Sequence, residues 1–202
     1  MGLVQKAQKT FLTINGNGKI AQRLKQPVDG CITRQIKEGK TIYENQFDGI
    51  EGRITNLYFN THEEYGRFFN VVIDNEYVLQ LNAGNRYYYS FVFALPNVDF
   101  SKPVKLTPWR KEVEGKAKMS LYVNQGGDKS IEWFFTRENN HGMPDMVKIK
   151  VKGKETWDDS ARQEWLEKYL QENIFPALVN AGASTVDTGI EAAADDKDGL
   201  PF

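Results

Sequence analysis

The stretch that decides the fold is VKLTPWRKEVEGKAKMSLYVN, residues 104–124. Apolar residues occupy alternate positions in its two halves, at 104, 106 and 108 in the first (104–110) and at 117, 119, 121 and 123 in the second (116–124). In the first half they alternate with Lys105, Thr107 and Trp109, and in the second with Lys116, Lys118, Ser120, Tyr122 and Asn124. Successive side chains of a strand point to opposite faces. Each half therefore predicts a strand with one apolar face and one face that carries lysines and an aromatic ring.

The same period-two pattern extends outward over residues 10–151 and is broken by turn residues, as in Asn-Gly-Asn-Gly at 15–18 and Gln-Gly-Gly-Asp at 125–128. It predicts a mostly β protein with many short strands. The predicted strands are 10–14, 32–36, 41–47, 50–59, 68–73, 77–81, 104–110, 116–124, 129–136 and 146–152.

One segment, 86–99, leaves this pattern: its apolar residues recur at three- and four-residue spacing, which predicts a short helix that Pro96 ends. Five strands, from 50–59 to 116–124, then follow one another with a helix between the third and the fourth. This is the element order of an OB-fold, a five-stranded Greek-key barrel. We expect such a barrel, elaborated by the strands around it.

The C-terminal part divides into a helix and a tail. Asp158 and Asp159 are suited to cap a helix whose apolar stripe runs from Ala161 to Ile174, with Pro176 at its end. Residues 180–194 are small and polar, as in a flexible linker. We therefore expect residues 1–180 to form one domain and residues 181–202 a flexible linker with an acidic tail.

The net charge of −1 hides an uneven distribution of charge along the 202 residues. Residues 1–157 carry 23 Lys and Arg against 17 Asp and Glu, whereas residues 158–202 carry 3 against 10. A basic body indicates a polyanionic partner. Residues 1–6 lack a signal-peptide core, no apolar run reaches 18 residues, and the single Cys31 is interpreted as a small core residue, so we expect a cytoplasmic protein.

No pattern in the sequence indicates catalysis. His62, His141 and Cys31 lie at no zinc-ligand spacing, and the Gly39-Lys40-Thr41 string lacks the earlier glycine of a P-loop, because Arg34 stands there. Adjacent acids are interpreted as solvated charges. We expect a protein that is not an enzyme and needs neither cofactor nor metal.

Aromatic rings interleaved with cations are typical of proteins that bind single strands without sequence preference, because bases stack on the rings while Lys and Arg follow the phosphates. The candidate DNA-binding residues are Arg53, Arg67, Phe68, Arg86, Lys105, Trp109, Arg110, Lys111, Lys116, Lys118 and Tyr122. The alternative is that the rings cover a barrel edge or pack beneath the C-terminal helix, and that the lysines only aid solubility.

The last eight residues, DDKDGLPF (195–202), place three acids before an apolar end that includes a proline and a phenylalanine. With the β-rich body and the linker, this tip resembles the single-stranded DNA-binding proteins of bacteria and their phages. The chain departs from the usual bacterial form in its N-terminal strands, its added helix and Leu200, where isoleucine is typical. These additions are more similar to the phage-encoded type, and they put the tetramer of the bacterial proteins in doubt.

The resemblance implies an OB-fold that coats single-stranded DNA in replication, recombination or repair, in a bacterial host cytoplasm if the chain is phage-encoded. It also implies that the tip recruits replication and repair proteins through Asp195, Asp196, Asp198, Leu200, Pro201 and Phe202. The alternatives are an adaptor that binds protein, an RNA-binding OB-fold and, least favoured, a nuclease. A further hypothesis is that the acidic tail occupies the basic groove when DNA is absent.

Overall fold

The fold is described from a computed structural model, over residues 9–35 and 39–182. As predicted, it is mostly β. The strands are β1 (Thr10–Ile14), β2 (Ile20–Leu24), β3 (Ile32–Gln35), β4 (Thr41–Phe47), β5 (Ile50–Gly52), β6 (Ile54–His62), β7 (Gly66–Ile73), β8 (Tyr77–Asn82), β9 (Val104–Val113), β10 (Lys116–Asn124), β11 (Val147–Val151) and β12 (Lys154–Asp158). The helices are α1 (Arg86–Ala94), which a 3₁₀ turn (Leu95–Asn97) extends, α2 (Ser160–Tyr169) and α3 (Phe175–Asn180), with a π-helical turn (Leu170–Ile174) between the last two.

The strands form a seven-stranded sheet of order β3-β4-β2-β1-β8-β7-β6, a three-stranded sheet of order β10-β9-β5, and a two-stranded sheet of β11 and β12. Strand β1 runs parallel to β8, and the other pairs are antiparallel. Only Arg53 separates β5 from β6, so these strands link the two larger sheets. Within the described residues no ladder joins β10 to β8, and no closed barrel forms.

The core lies between the larger sheets and α1. Asn85 begins α1, since its side-chain oxygen accepts a hydrogen bond from the Tyr88 backbone N–H at 2.8 Å. Ser90 ties the helix to β10: its hydroxyl accepts from the Leu121 N–H at 2.7 Å and donates to the Tyr87 carbonyl at 3.1 Å. The apolar residues of β9 and β10 are thereby held inward, and the other face of both strands points outward.

The C-terminal helices cover one end of this core. The rings of Trp165 and Tyr169 stack at 5.3 Å, and Phe135 packs edge-on against both. The predicted end at Pro176 is wrong, because α3 continues with that proline in its first turn. Proline lacks an N–H and crowds the carbonyl four residues earlier, so it disfavours a regular α-helix. The π-helical turn of Leu170–Ile174 widens the helix immediately before Pro176.

Asp159 occupies the N-cap position of α2, as predicted, but its side chain makes no capping hydrogen bond. The Asp158 carboxylate accepts from the backbone N–H of Ser160 at 3.0 Å. The Asp159 side chain instead accepts from the Tyr89 hydroxyl at 2.5 Å and so connects α2 to α1. Burial, followed by this hydrogen bond, raises the pKa of Tyr89 above its ordinary value.

Three other local predictions are wrong. Residues 129–136 form no strand beyond a single bridge from Asn124 to Ser130, because Phe135 leaves the alternation to fill the space between α1 and α2. Strands β2 and β12 were not predicted. Cys31 lies half-buried in a turn rather than in the core.

Candidate nucleic-acid interface

The candidate interface is the outward face of the β9–β10 hairpin. The register pairs Thr107 with Tyr122, Trp109 with Ser120 and Lys111 with Lys118. Lys105 and Lys116 lie on the same face, opposite Asn124 and Val113. The predicted alternation is therefore present: Leu106, Leu121 and their neighbours on the inner face are buried, whereas the outward rings and lysines are exposed. We call these six side chains, Lys105, Trp109, Lys111, Lys116, Lys118 and Tyr122, the hairpin face.

Two aromatic rings lie at the centre of the hairpin face. Trp109 and Tyr122 are 37% and 39% exposed, and their ring centroids are 6.4 Å apart at an interplanar angle of 57°. The rings are diagonal neighbours across the ladder, so each supports the other while keeping a free surface. Because they are tilted, they offer two adjoining surfaces rather than one continuous plane.

The lysines of the hairpin face surround these rings with positive charge. Lys111 and Lys118 are direct cross-strand partners, an arrangement that is destabilising for like charges. A bound phosphate would relieve that repulsion. At the other end of the hairpin Lys105 pairs in register with Glu51 of β5, so an acid borders the face there. Lys111, Lys116 and Lys118 group at the turn end of the hairpin, where Glu112 and Glu114 are also exposed.

Three of the predicted arginines lie away from the hairpin face. Arg110 is exposed on the opposite side of β9, where its Cβ lies against Gly18 of the β1–β2 turn. Arg53 joins β5 to β6: its backbone N–H donates to Asp74 at 2.9 Å and its guanidinium to the Ala181 carbonyl at 3.5 Å. Arg86 is exposed at the start of α1.

The prediction that Phe68 is available for stacking is wrong, because the side chain is 3% exposed. Strand β7 lies between β6 and β8, and residues of both its faces are buried from Phe68 to Ile73. The sequence signal was misleading because a central strand loses its open face when both sides are covered. Phe68 is therefore a packing residue.

Arg67 attaches the C-terminal helices to the seven-stranded sheet. Its guanidinium forms an ion pair with Glu167 of α2 and lies 5.0 Å from the centroid of the Phe59 ring. A cation above an aromatic face is attracted by the ring quadrupole. These contacts assign Arg67 a structural position rather than one on the hairpin face.

Two exposed tryptophans were not among the predicted residues. Trp133 is 48% exposed and lies after the hairpin, where its ring packs edge-on against Phe93. Trp157 is 57% exposed on β12. The sequence did contain a signal for Trp157, since the segment before it has a lysine at four of seven positions from Lys148 to Lys154.

The acidic tip that carries Asp195, Asp196, Asp198, Leu200, Pro201 and Phe202 lies outside the described residues. Across 9–35 and 39–182, no group of three or more His, Cys, Asp and Glu side chains could hold a metal ion. In the same part of the chain, every helix is too short or too polar to cross a membrane.

Comparison with protein-family models, curated protein sequences and solved structures found no match.

Proposed function

We propose that this protein binds single-stranded DNA non-catalytically and without sequence preference, through the hairpin face. The observation that carries the proposal is the exposed pair of Trp109 and Tyr122 at 6.4 Å, surrounded by lysines on one strand face. Bases stack on such rings regardless of their identity, and lysines neutralise the phosphates. Duplex DNA would present stacked bases whose faces are closed to the rings.

The element order supports an OB-type unit within this fold. The chain passes from β5 and β6 through β7 and β8 to α1 and then to the β9–β10 hairpin, and β9 pairs back with β5. In this interpretation β1 fills the free edge of β8, and β1–β4 enlarge the sheet. The hairpin face then lies on the last two strands of the unit.

The exposure of the rings argues against the alternative that the protein is only an adaptor. That alternative would be favoured if the C-terminal helices covered Trp109 and Tyr122. Instead α2 contacts Arg67 near the start of β7, and both rings stay more than one-third exposed.

We further propose that the acidic tip recruits replication and repair proteins. This part of the proposal depends on the sequence of residues 195–202, in which Asp195, Asp196 and Asp198 precede Leu200, Pro201 and Phe202. Acids that meet a basic rim and an apolar end that enters a pocket form a peptide of the kind that docks on partner domains. Tip and hairpin face would then serve different partners.

The proposal is tested by binding of labelled oligo-dT, monitored by fluorescence anisotropy. We expect tight binding of the single strand and weak binding of a duplex of equal length. Equal affinity for both would refute the proposal, and competition by a matched oligo-U measures the preference for DNA over RNA. A binding reaction with divalent metal in which the oligomer stays intact separates binding from nuclease activity.

The role of the rings is tested by Trp109→Leu and Tyr122→Leu, with Trp133→Leu as the matched control at another exposed tryptophan. Each hairpin variant is expected to bind oligo-dT about 5- to 150-fold more weakly, the equivalent of about 1–3 kcal/mol for one stacked base. The control should bind as the unmodified protein does. Unchanged affinity in both hairpin variants would contradict a stacking role.

A further inference from the structure

Strands β11 and β12 form a two-stranded ribbon, Val147–Asp158, that lies apart from the two larger sheets. Lys152 and Gly153 join the strands, both with positive φ, at 51° and 81°, as the tight turn of a hairpin requires. Every residue from 145 to 157 is exposed. The ribbon therefore presents both of its faces to solvent.

One face of the ribbon combines an aromatic ring with lysines. Lys148 is the cross-strand partner of Trp157, and its Nζ lies 5.4 Å from the centroid of the ring. Lys150 lies on the same face, opposite Glu155, whose carboxylate also forms an ion pair with Lys148 at 3.6 Å. The Trp157 side chain is 57% exposed, although tryptophan is among the most apolar residues. The segment from Met146 to Trp157 contains four lysines and one acid, Glu155.

These features indicate a binding surface. A hairpin of two strands is marginally stable alone in water. Trp157 is the exposed apolar side chain of the lysine face, whereas Val147, Ile149 and Val151 are exposed on the opposite face. Exposed apolar side chains grouped on one element mark sites of interaction. The excess of lysines selects an anionic partner. It argues against a second copy of this chain, because an isologous contact would bring the same lysines of both copies together.

The spacing of the cations fits an extended polyanion. Residues two apart on one strand, such as Lys148 and Lys150, repeat at about 6.6 Å, close to one step of an extended single strand. We propose that the ribbon is a second contact for single-stranded DNA, in which Trp157 stacks on a base while Lys148 and Lys150 bind the adjacent phosphates. This inference rests on the proposed function of the hairpin face and extends its binding site.

The test compares the full chain with Trp157→Leu and with the double variant Lys148→Gln, Lys150→Gln. Labelled oligo-dT of increasing length is titrated by anisotropy, and the occluded length is measured on poly-dT. Loss of the ribbon contact should leave the affinity for the shortest bound oligomers unchanged. For long oligomers, we expect Trp157→Leu to bind at least about fivefold more weakly, the lower limit for one stacked base. The double lysine variant should bind more weakly and with a smaller salt dependence, because two phosphate contacts are lost. Both variants should occlude fewer nucleotides.

Two controls separate a loss of contact from a change in folding. The ribbon side chains are exposed, so the melting temperature should not change, and Trp157→Phe keeps an aromatic ring and should retain most of the affinity. Trp133→Leu removes an exposed tryptophan elsewhere and should bind long oligomers normally.

Each result has a distinct meaning. Failure of the unmodified protein to bind oligo-dT would refute the proposed function itself. Normal binding by the unmodified protein, with the same affinity and occluded length in both ribbon variants, would overturn only the ribbon contact. If the variants instead lose self-association in sedimentation while DNA binding is unchanged, the ribbon is an interface between copies and the inference is wrong.

Discussion

Neutralising the four lysines of the hairpin face should change how strongly DNA binding depends on salt. The variant carries glutamine at Lys105, Lys111, Lys116 and Lys118, all exposed on one face of the β9–β10 hairpin. Glutamine keeps the length and polarity of the side chain but removes the charge. Since Lys111 and Lys118 repel each other across the ladder, the substitutions should leave the thermal stability unchanged or raise it slightly.

The magnitude follows from the number of lysines. Each phosphate contact with a single strand adds about 0.7 to the slope of log K against log salt concentration, because bound counterions are released. If all four lysines contact phosphates, the variant loses about 3 from that slope. Between 50 and 200 mM salt, the unmodified protein should then lose about 50-fold more affinity than the variant does.

The assay is a titration of labelled oligo-dT at several salt concentrations. A control variant with glutamine at four exposed lysines outside the hairpin, Lys25, Lys102, Lys129 and Lys168, has the same net charge. Its slope should stay close to that of the unmodified protein. An unchanged slope in the hairpin variant, or an equal decrease in the control, would refute the assignment of DNA binding to the hairpin face.

Three other predictions concern the core, the edge of the large sheet and the tail. Phe68→Ala should lower the free energy of unfolding by about 3–5 kcal/mol, measured by urea denaturation, whereas Phe68→Leu, if folded, should bind oligo-dT normally; a selective loss of binding would restore a stacking role. Glu44→Gln should lower the free energy of unfolding by about 1–3 kcal/mol at pH 7. This difference from the unmodified protein should disappear as the pH falls below 4.5 and through the pKa of Glu44 in the folded state. Removal of residues 187–202 should raise DNA affinity at low salt if the tail occupies the basic face, and no change would reject that hypothesis.

The surroundings of Glu44 explain why its contribution to stability is lost at low pH. Burial alone raises the pKa of this carboxyl, but hydrogen bonds from Arg34 and Gln46 outweigh burial and hold the pKa below the ordinary 4.5. A carboxylate with a lowered pKa in the folded state stabilises the fold above its unfolded pKa and loses this contribution as the pH falls. A difference that persists at pH 2 would contradict the assignment.

The hairpin face was predictable because its signal is local. Alternation along 104–110 and 116–124 separates Lys105 and Trp109 from the buried residues of the same strand, and turn residues mark the strand ends. Pairing of the two strands in one hairpin then brings Trp109 and Tyr122 together, because short connections join neighbouring strands. The buried and exposed positions of this hairpin needed no knowledge of the rest of the chain.

Residues whose position depends on distant parts of the chain were not predictable in the same way. Arg67 carries the positive charge of a DNA-binding side chain. In the structure this charge is paired with Glu167, which lies 100 residues later in the chain. Phe135 interrupts an apparent strand because α1 and α2 leave a space for its ring. The alternation does not indicate the position of Trp157, because the strand β12 that carries it follows a two-residue turn, Lys152-Gly153, without a recognisable turn pattern.

By itself, the sequence determined the β-rich class, most strand positions and the face of β9 and β10 that carries lysines and rings, because each depends on period-two alternation and turn chemistry over a few residues. Only the tertiary structure decided which of those faces remain open. Phe68 and Tyr122 both alternate with apolar neighbours, but β7 is covered on both sides within the seven-stranded sheet, while the hairpin face points outward. Burial is a property of what packs against a strand, and that depends on elements far away in the chain.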